Sequence, residues 1–200
     1  MMMPRLGPGR PREFDIDAAL EAALLVFRER GYHAASLTEL GSAMKLTGGS
    51  IYKAFGDKRS IFLAAFDQYT SQRHKKLADL LDAEKSGRDK LRALLRFYAD
   101  SSHGIEGRRG CLVVGSATDL TLLDEDMAAH VAKALRRMET LLRSLIELGH
   151  SDGSVPPRVD VDASTRALLC LLQGLRVVGK LGRTRSEMMA AAEQGLELLT

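Results

Sequence analysis

Between Ser36 and Phe55 the chain carries two helix-start signals with room between them for little more than a turn. Ser36-Leu37-Thr38-Glu39 fits a capping box, in which the Ser36 hydroxyl and the Glu39 carboxylate each satisfy a free backbone donor. Leu37, Leu40 and Met44 follow at the spacing of a helix that buries one side. Lys45-Leu46 makes the turn, and Thr47 is placed to cap a second helix through Ala54. Ile51 and Phe55 give that helix its inner face. Its outer face holds Gly48, Gly49, Ser50, Tyr52 and Lys53, which are small or hydrogen-bonding and include no acid. A helix-turn-helix sets its second helix in the major groove, base edges meeting its first residues and phosphates its flanks. The pattern suits that task; it also suits an ordinary helical hairpin inside a core.

The flanking residues favour the first alternative. Phe27-Arg28-Glu29-Arg30-Gly31-Tyr32 closes a preceding helix, and Asp57-Lys58-Arg59-Ser60-Ile61-Phe62 opens the next one, with Asp57 as its cap. Together with Ser36 to Leu40 and Leu46 to Phe55, these segments resemble the DNA-binding domain of the TetR family of bacterial transcriptional regulators. The likeness covers residues 13 to 66, and Thr47 through Lys58 is its most specific run. Two positions depart from the family pattern: Lys45 stands where Gly is usual, and Gly48 where a basic residue is common. Lys45 is therefore expected at positive φ, which is uncommon outside Gly, Asn and Asp. Gly48 removes one contact, so no base preference is carried over.

The resemblance implies an all-α fold of about nine helices. A flexible basic arm (1–12) precedes a three-helix helix-turn-helix domain (13–58, motif 36–55), and a helical effector-binding and dimerisation domain (59–200) follows. Thr38, Thr47, Ser50, Tyr52 and Lys58 are assigned to DNA phosphates; Gly48, Gly49 and Lys53 face the bases, and Lys45 joins the same DNA-binding set from the turn. Lys58 lies in the first turn of its helix, where the dipole favours acids rather than lysine. A phosphate partner accounts for that choice.

A net charge of +3 is too small by itself to argue for nucleic acid. Its distribution says more, since Arg5, Arg10 and Arg12 occupy residues 1–12 without an acid. Such an arm can reach phosphates or a minor groove, or it is a terminus whose arginines are incidental. Two cysteines make no disulfide framework. No signal-peptide core and no apolar run of ~20 residues is present, so a cytoplasmic protein without membrane contact is expected. The five histidines are scattered, and neither HExxH, GxGxxG nor a Walker loop occurs. An enzyme, a metal site and a cofactor are all unexpected.

Beyond residue 57 the periodicity predicts only helices. One runs toward Leu81, burying Ile61, Phe62, Ala65, Phe66 and Tyr69 and leaving Arg73, Lys75 and Lys76 in water. Residues 101–110, with three glycines, read as a loop. The helix over 161–180 is apolar all round at Ala167 to Leu172, which asks for partners on every side. Leu168, Leu171, Leu172, Leu175, Met188, Met189, Ala192 and Leu196 are accordingly assigned to a homodimer interface, as the resemblance also implies.

An effector pocket is expected from Phe97, Tyr98, Ser101, Cys111, Val114, Asp119, Met138, Gln173 and Arg176, although the apolar members serve equally well as plain core. Gln173 and Arg176 suit an anionic effector, or they pair with each other and a carboxylate such as Asp119. Cys111 lies beside Arg108 and Arg109, which favour its thiolate, in a context similar to a family branch that senses electrophiles or oxidants. It is otherwise a small inert core residue. The resulting expectation is a dimeric repressor of a palindromic operator, released by a small-molecule effector. Thiol sensing at Cys111 and a helical interaction scaffold are the alternatives.

Overall fold

The computed structural model describes residues 14–200, so the basic arm lies outside the described residues. These residues form ten α-helices and three short 3-10 turns, with no strand among them. The first four helices are α1 (Ile16–Ala34), α2 (Leu37–Met44), α3 (Gly48–Phe55) and α4 (Lys58–Asp82). The other six are α5 (Gly87–Asp100), α6 (Gly104–Arg109), α7 (Leu112–Thr118), α8 (Glu125–Asp152), α9 (Val161–Val178) and α10 (Arg185–Gly195).

Local chemistry sets most of these boundaries. Ser36 and Thr184 form complete capping boxes with Glu39 and Glu187, while Thr47, Asp57, Ser86, Asp124 and Asp160 each accept a backbone N–H at a helix start. Lys45 caps α2 at φ 57°, ψ 37°, the left-handed conformation expected of it. Gly31 (φ 78°) breaks α1 where the sequence places its end, and one more irregular turn follows.

The segment 101–110 is not the expected loop, because α6 occupies most of it. Its glycines permit close approach. A Cβ on Gly107 would lie 2.7 Å from the Ser102 backbone and 3.1 Å from the Gly179 carbonyl oxygen. The helix therefore packs against the end of α9 instead of bridging open solvent. Leu37, expected on a buried face, is exposed, as is Ile16 at the start of α1; Ala19, Ala23 and Gly41 line the buried sides with Leu20, Phe27, Leu40 and Met44.

Two hydrophobic cores share α4. The first joins Phe27, Leu40, Ile51, Phe62, Phe66 and Tyr69 to Leu112 of α7 and to Met127 and Val131 of α8. The second begins at Leu77 and Leu81 and is completed by α5, α8, α9 and α10. The N-terminal helices thus rest on α7 and α8 through apolar contact. Ion pairs from Arg59 to Asp124 (2.9 Å) and Asp126 (2.5 Å) reinforce the junction. Arg28 of α1 reaches farther, donating through Nε (3.0 Å) and Nη2 (2.6 Å) to the Gly110 carbonyl, which also accepts Arg176 Nη2 of α9 (3.0 Å).

The residues assigned to the dimer interface are used differently. Leu168, Leu172, Leu175, Met188, Ala192 and Leu196 are buried within their own chain, and Leu171 and Met189 pack against that core. An apolar stripe meets whatever covers it first, and here α5, α8 and α10 do so. The opposite side of α9 leaves Ala163, Ala167, Cys170 and Val177 exposed, and Leu181 continues that side in the 3-10 turn after it.

Candidate nucleic-acid interface and inner cavity

Ile51, and Phe55 against Phe14, hold α3 on its inner side (Phe55 and Phe14 ring centroids 6.3 Å apart). Gly41 sets the approach of α3 to α2: a Cβ there would meet the Leu46 carbonyl oxygen at 3.0 Å and Ile51 Cδ1 at 3.1 Å. The turn closes with Leu46 N–H donating to Gly41 O at 2.9 Å. This geometry turns Thr38, Lys45, Thr47, Gly48, Gly49, Tyr52 and Lys53 to solvent, with Ser50 half-buried among them. Tyr52 is 75% exposed. Thr47 Oγ1 accepts the Ser50 N–H (3.2 Å) and meets Ser50 Oγ at 2.9 Å, so these hydroxyls order the first turn of α3.

Gly48 and Gly49 have no internal explanation. A Cβ on either would meet nothing within 4 Å, and neither has a positive φ. Glycine in a helix costs roughly 0.5–1 kcal/mol relative to alanine. Two such residues on an exposed, acid-free face suit close approach by an outside partner.

Lys58 does something else from the task assigned to it. Its ammonium donates to the carbonyls of Tyr32 (3.0 Å), His33 (3.3 Å) and Ala35 (3.0 Å), 4.7 Å from the Tyr32 ring centroid. All three of its donors are spent on the frayed end of α1, binding α1 to α4. The lysine that ran against its own helix dipole serves the C-terminal carbonyls of another helix.

In the C-terminal half, Phe97, Tyr98, Cys111, Met138 and Gln173 do converge, around an inner cavity of about 40 Å³ that Arg73, His74 and Leu77 also line. Ser101 lies on an outer cleft, Asp119 lines a separate depression near Tyr32, and Val114 lines neither the cavity nor the cleft. Arg176 is buried and bonds Ser102 Oγ (3.3 Å) and Gly110 O; neither Gln173 nor Asp119 is its partner.

Arg73 was expected in water with Lys75 and Lys76, on helical spacing alone. It turns inward instead, its guanidinium carbon 4.6 Å from the Phe97 ring centroid, 5.3 Å from Tyr98 and 5.7 Å from Tyr69. Such stacking over ring faces favours a guanidinium. The only sequence signal for it was the aromatic pair Phe97-Tyr98 on the neighbouring helix.

Cys111 caps α7, and the Tyr69 hydroxyl donates to its sulfur at 3.5 Å. Burial is the largest single influence and opposes ionisation of the thiol, but the guanidiniums of Arg176 and Arg73, together with the hydrogen bonds from Tyr69 and the Val114 backbone, hold its pKa below the ordinary thiol value. The arginines that act are thus not Arg108 and Arg109: Arg109 pairs with Glu106 (2.9 Å) and Arg108 Nη1 lies near Gly182. Burial raises the pKa of Tyr69, with the neighbouring Cys111 charge adding to it, so its hydroxyl stays protonated as a donor. Burial also lowers the pKa of His74, and Arg137 and Arg73 add to that effect.

Comparison with known proteins accounts for both halves. Residues 19–65 match the model of bacterial regulatory proteins of the tetR family, and residues 87–194 that of the tetracyclin repressor-like C-terminal domain. The HTH-type transcriptional repressor ComR of Escherichia coli K12 is 29% identical over 191 residues, covering 95% of this chain and 91% of its own. A solved cysteine mutant of the TetR family transcriptional regulator CifR, complexed with 26 bp double-strand operator DNA, is 34% identical, with TM-score 0.83 over 94% of this chain and 98% of that one. Reduced NemR of Escherichia coli shares the fold at 22% identity, with TM-score 0.78 over 93% of this chain and 98% of its own. With a fitted reading helix at one end and the family's helical body at the other, the chain belongs to the TetR family and is a DNA-binding transcriptional regulator.

Proposed function

We propose that this regulator is a repressor that binds a two-fold symmetric operator as a homodimer and leaves it when a small molecule enters the C-terminal half. The observation that carries the reading is the exposed, acid-free face of α3 with two glycines that the fold itself does not require. Gly48, Gly49 and Lys53 face the bases, while Thr38, Lys45, Thr47, Ser50 and Tyr52 meet the backbone. The exposed side of α9, with Ala163, Ala167, Cys170 and Val177, and with Leu181 of the following turn, is the surface on which the second copy packs. A two-fold axis through that surface fixes the separation of the two reading helices and hence the half-site spacing. No helix among the described residues is long and apolar enough to cross a membrane, and the regulator is assigned to the cytoplasm as a non-enzymatic protein. Selection from random duplex DNA, followed by binding at two salt concentrations, tests the reading. A palindrome with a steep salt slope is the expected result; enrichment of no sequence refutes it.

A second reading concerns the trigger. Arg73 and Arg176 favour the Cys111 thiolate, and the thiolate is the reactive form toward electrophiles and oxidants. In this version of the repressor, covalent modification of Cys111 is the release signal. Cys111→Ser should then hold its operator in the presence of N-ethylmaleimide. Release of that variant at the wild-type dose excludes Cys111 as the trigger.

A further inference from the structure

Two guanidiniums that the chain does not neutralise act on Cys111: Arg73 lines the inner cavity with it, and Arg176 is buried nearby. Arg176 is 2% exposed, and its Nε is buried without a partner. Arg73 donates through Nη1 to Ser101 Oγ (3.2 Å), while its Nη2 is buried and donates to nothing. Among the described residues neither forms an ion pair with a carboxylate. Three acids of the neighbouring cleft are committed elsewhere, Glu106 to Arg28 (2.9 Å), Asp100 to Arg185 (2.8 Å) and Asp89 to Arg92 (2.6 Å), and Glu21 and Glu84, which line it too, pair with neither arginine.

A buried charge without a partner carries a desolvation penalty of several kcal/mol. A guanidinium cannot escape that penalty by losing its proton. Even an ionised Cys111 would supply one negative charge for two positive ones, so at least one positive charge is unmatched.

The position of Arg73 says where a further anion would come from. An outer cleft of about 790 Å³ opens between α1, α4 and α5, and Arg73 and Phe97 line both it and the inner cavity. Arg73 is therefore the partition between them. The cleft wall is mixed: Leu24, Leu25, Leu80, Ala93 and Phe97 stand among charged residues that include Arg28, Lys76, Arg92 and Arg96 and the five acids just named. Apolar surface with a polar anchor is what a small-molecule site needs, and here Arg73 and Phe97 supply the two side by side.

We propose that Arg73 is the docking point for a small organic monocarboxylate, its head on the Arg73 guanidinium and its apolar tail in the outer cleft against Phe97, Leu80 and Ala93. The proposal rests on reading this region as the effector site, and it names the ligand class. Binding of the carboxylate supplies the missing negative charge at the partition.

The test uses the full chain and sodium benzoate, with benzamide as neutral isostere and sodium chloride at matched ionic strength. At ten times its Kd, benzoate should raise Tm by about 3–6 °C, and benzamide and chloride should not. The rise should persist in Cys111→Ser and vanish in Arg73→Met. That variant loses an unmatched buried charge and is expected to fold; if it does not, the benzoate–benzamide contrast in the unaltered protein decides alone. An equal rise with benzamide, a rise retained in Arg73→Met, or no rise above chloride overturns the site. Operator release is read separately: a benzoate-dependent Tm rise without release supports the site and counts against the effector reading.

Discussion

The outer face of α3 and the wall of the inner cavity present opposite chemical situations. On α3, hydroxyls, glycines and a lysine stand in water, and the fold needs little of them beyond the Thr47 cap. At the cavity wall and just behind it, guanidinium nitrogens of Arg73 and Arg176 are withdrawn from water and the fold leaves one on each unmet. The first surface is permissive, since changing it costs the chain almost nothing. The second is constrained, since its charge balance is part of stability. Function on α3 should therefore separate cleanly from folding, whereas function around Arg73 and Cys111 should not.

The largest expected effect tests that separation. Gly49→Glu meets no atom inside the chain, yet sets an acid against DNA, where like charges cost several kcal/mol. Operator affinity in a binding titration should fall about 100-fold or more, with Tm unchanged or raised. A comparable fall in Tm would break the comparison. Lys58→Ala comes next and should behave in the opposite way. Loss of three charge-assisted bonds to α1 carbonyls should cost about 1–2 kcal/mol in a denaturant titration, while the salt slope of DNA binding stays the same. A slope flattened by about one unit would return Lys58 to the phosphates.

Lys45→Gly is smaller. It relieves a left-handed residue worth roughly 1–2 kcal/mol, offset by the added freedom of the unfolded chain, so a net gain of about 0.5–1 kcal/mol is expected in thermal unfolding. Last comes a slope in place of a step. The Cys111 pKa is lowered in the folded state, so its contribution is fully present above the unfolded thiol pKa and is lost as pH falls through the folded value. The stability difference between wild type and Cys111→Ser should therefore widen as pH rises toward 9.0, the ordinary thiol value. A difference independent of pH would show that the thiol is not ionised.

The two regions also differ in how far they were legible. The reading head is encoded locally: Ser36 with Glu39, Thr47 three residues before Ser50, and Lys45 at the turn each act within a few residues. Such signals survive in a linear string. The cavity depends on which residues meet across the chain. Arg73 looks like its solvated neighbours until α5 brings Phe97 and Tyr98 beside it. Leu168 and Leu172 look like an interface because periodicity reports an apolar face and cannot say whether the same chain or another covers it. Lys58 misled for a related reason, since the carbonyls it serves lie 23 to 26 residues away.

The Gly110 carbonyl gives the two regions a common joint. One peptide oxygen receives Arg28 from the DNA-reading half and Arg176 from α9, immediately before the cysteine that opens α7. A carbonyl offers two lone pairs, and both are taken. Any rotation of that peptide group weakens the hold of both arginines together, leaving Arg28 to Glu106 and Arg176 to Ser102. The chain thus needs no long relay between its halves, because a tilt of a single amide plane is felt by both at once.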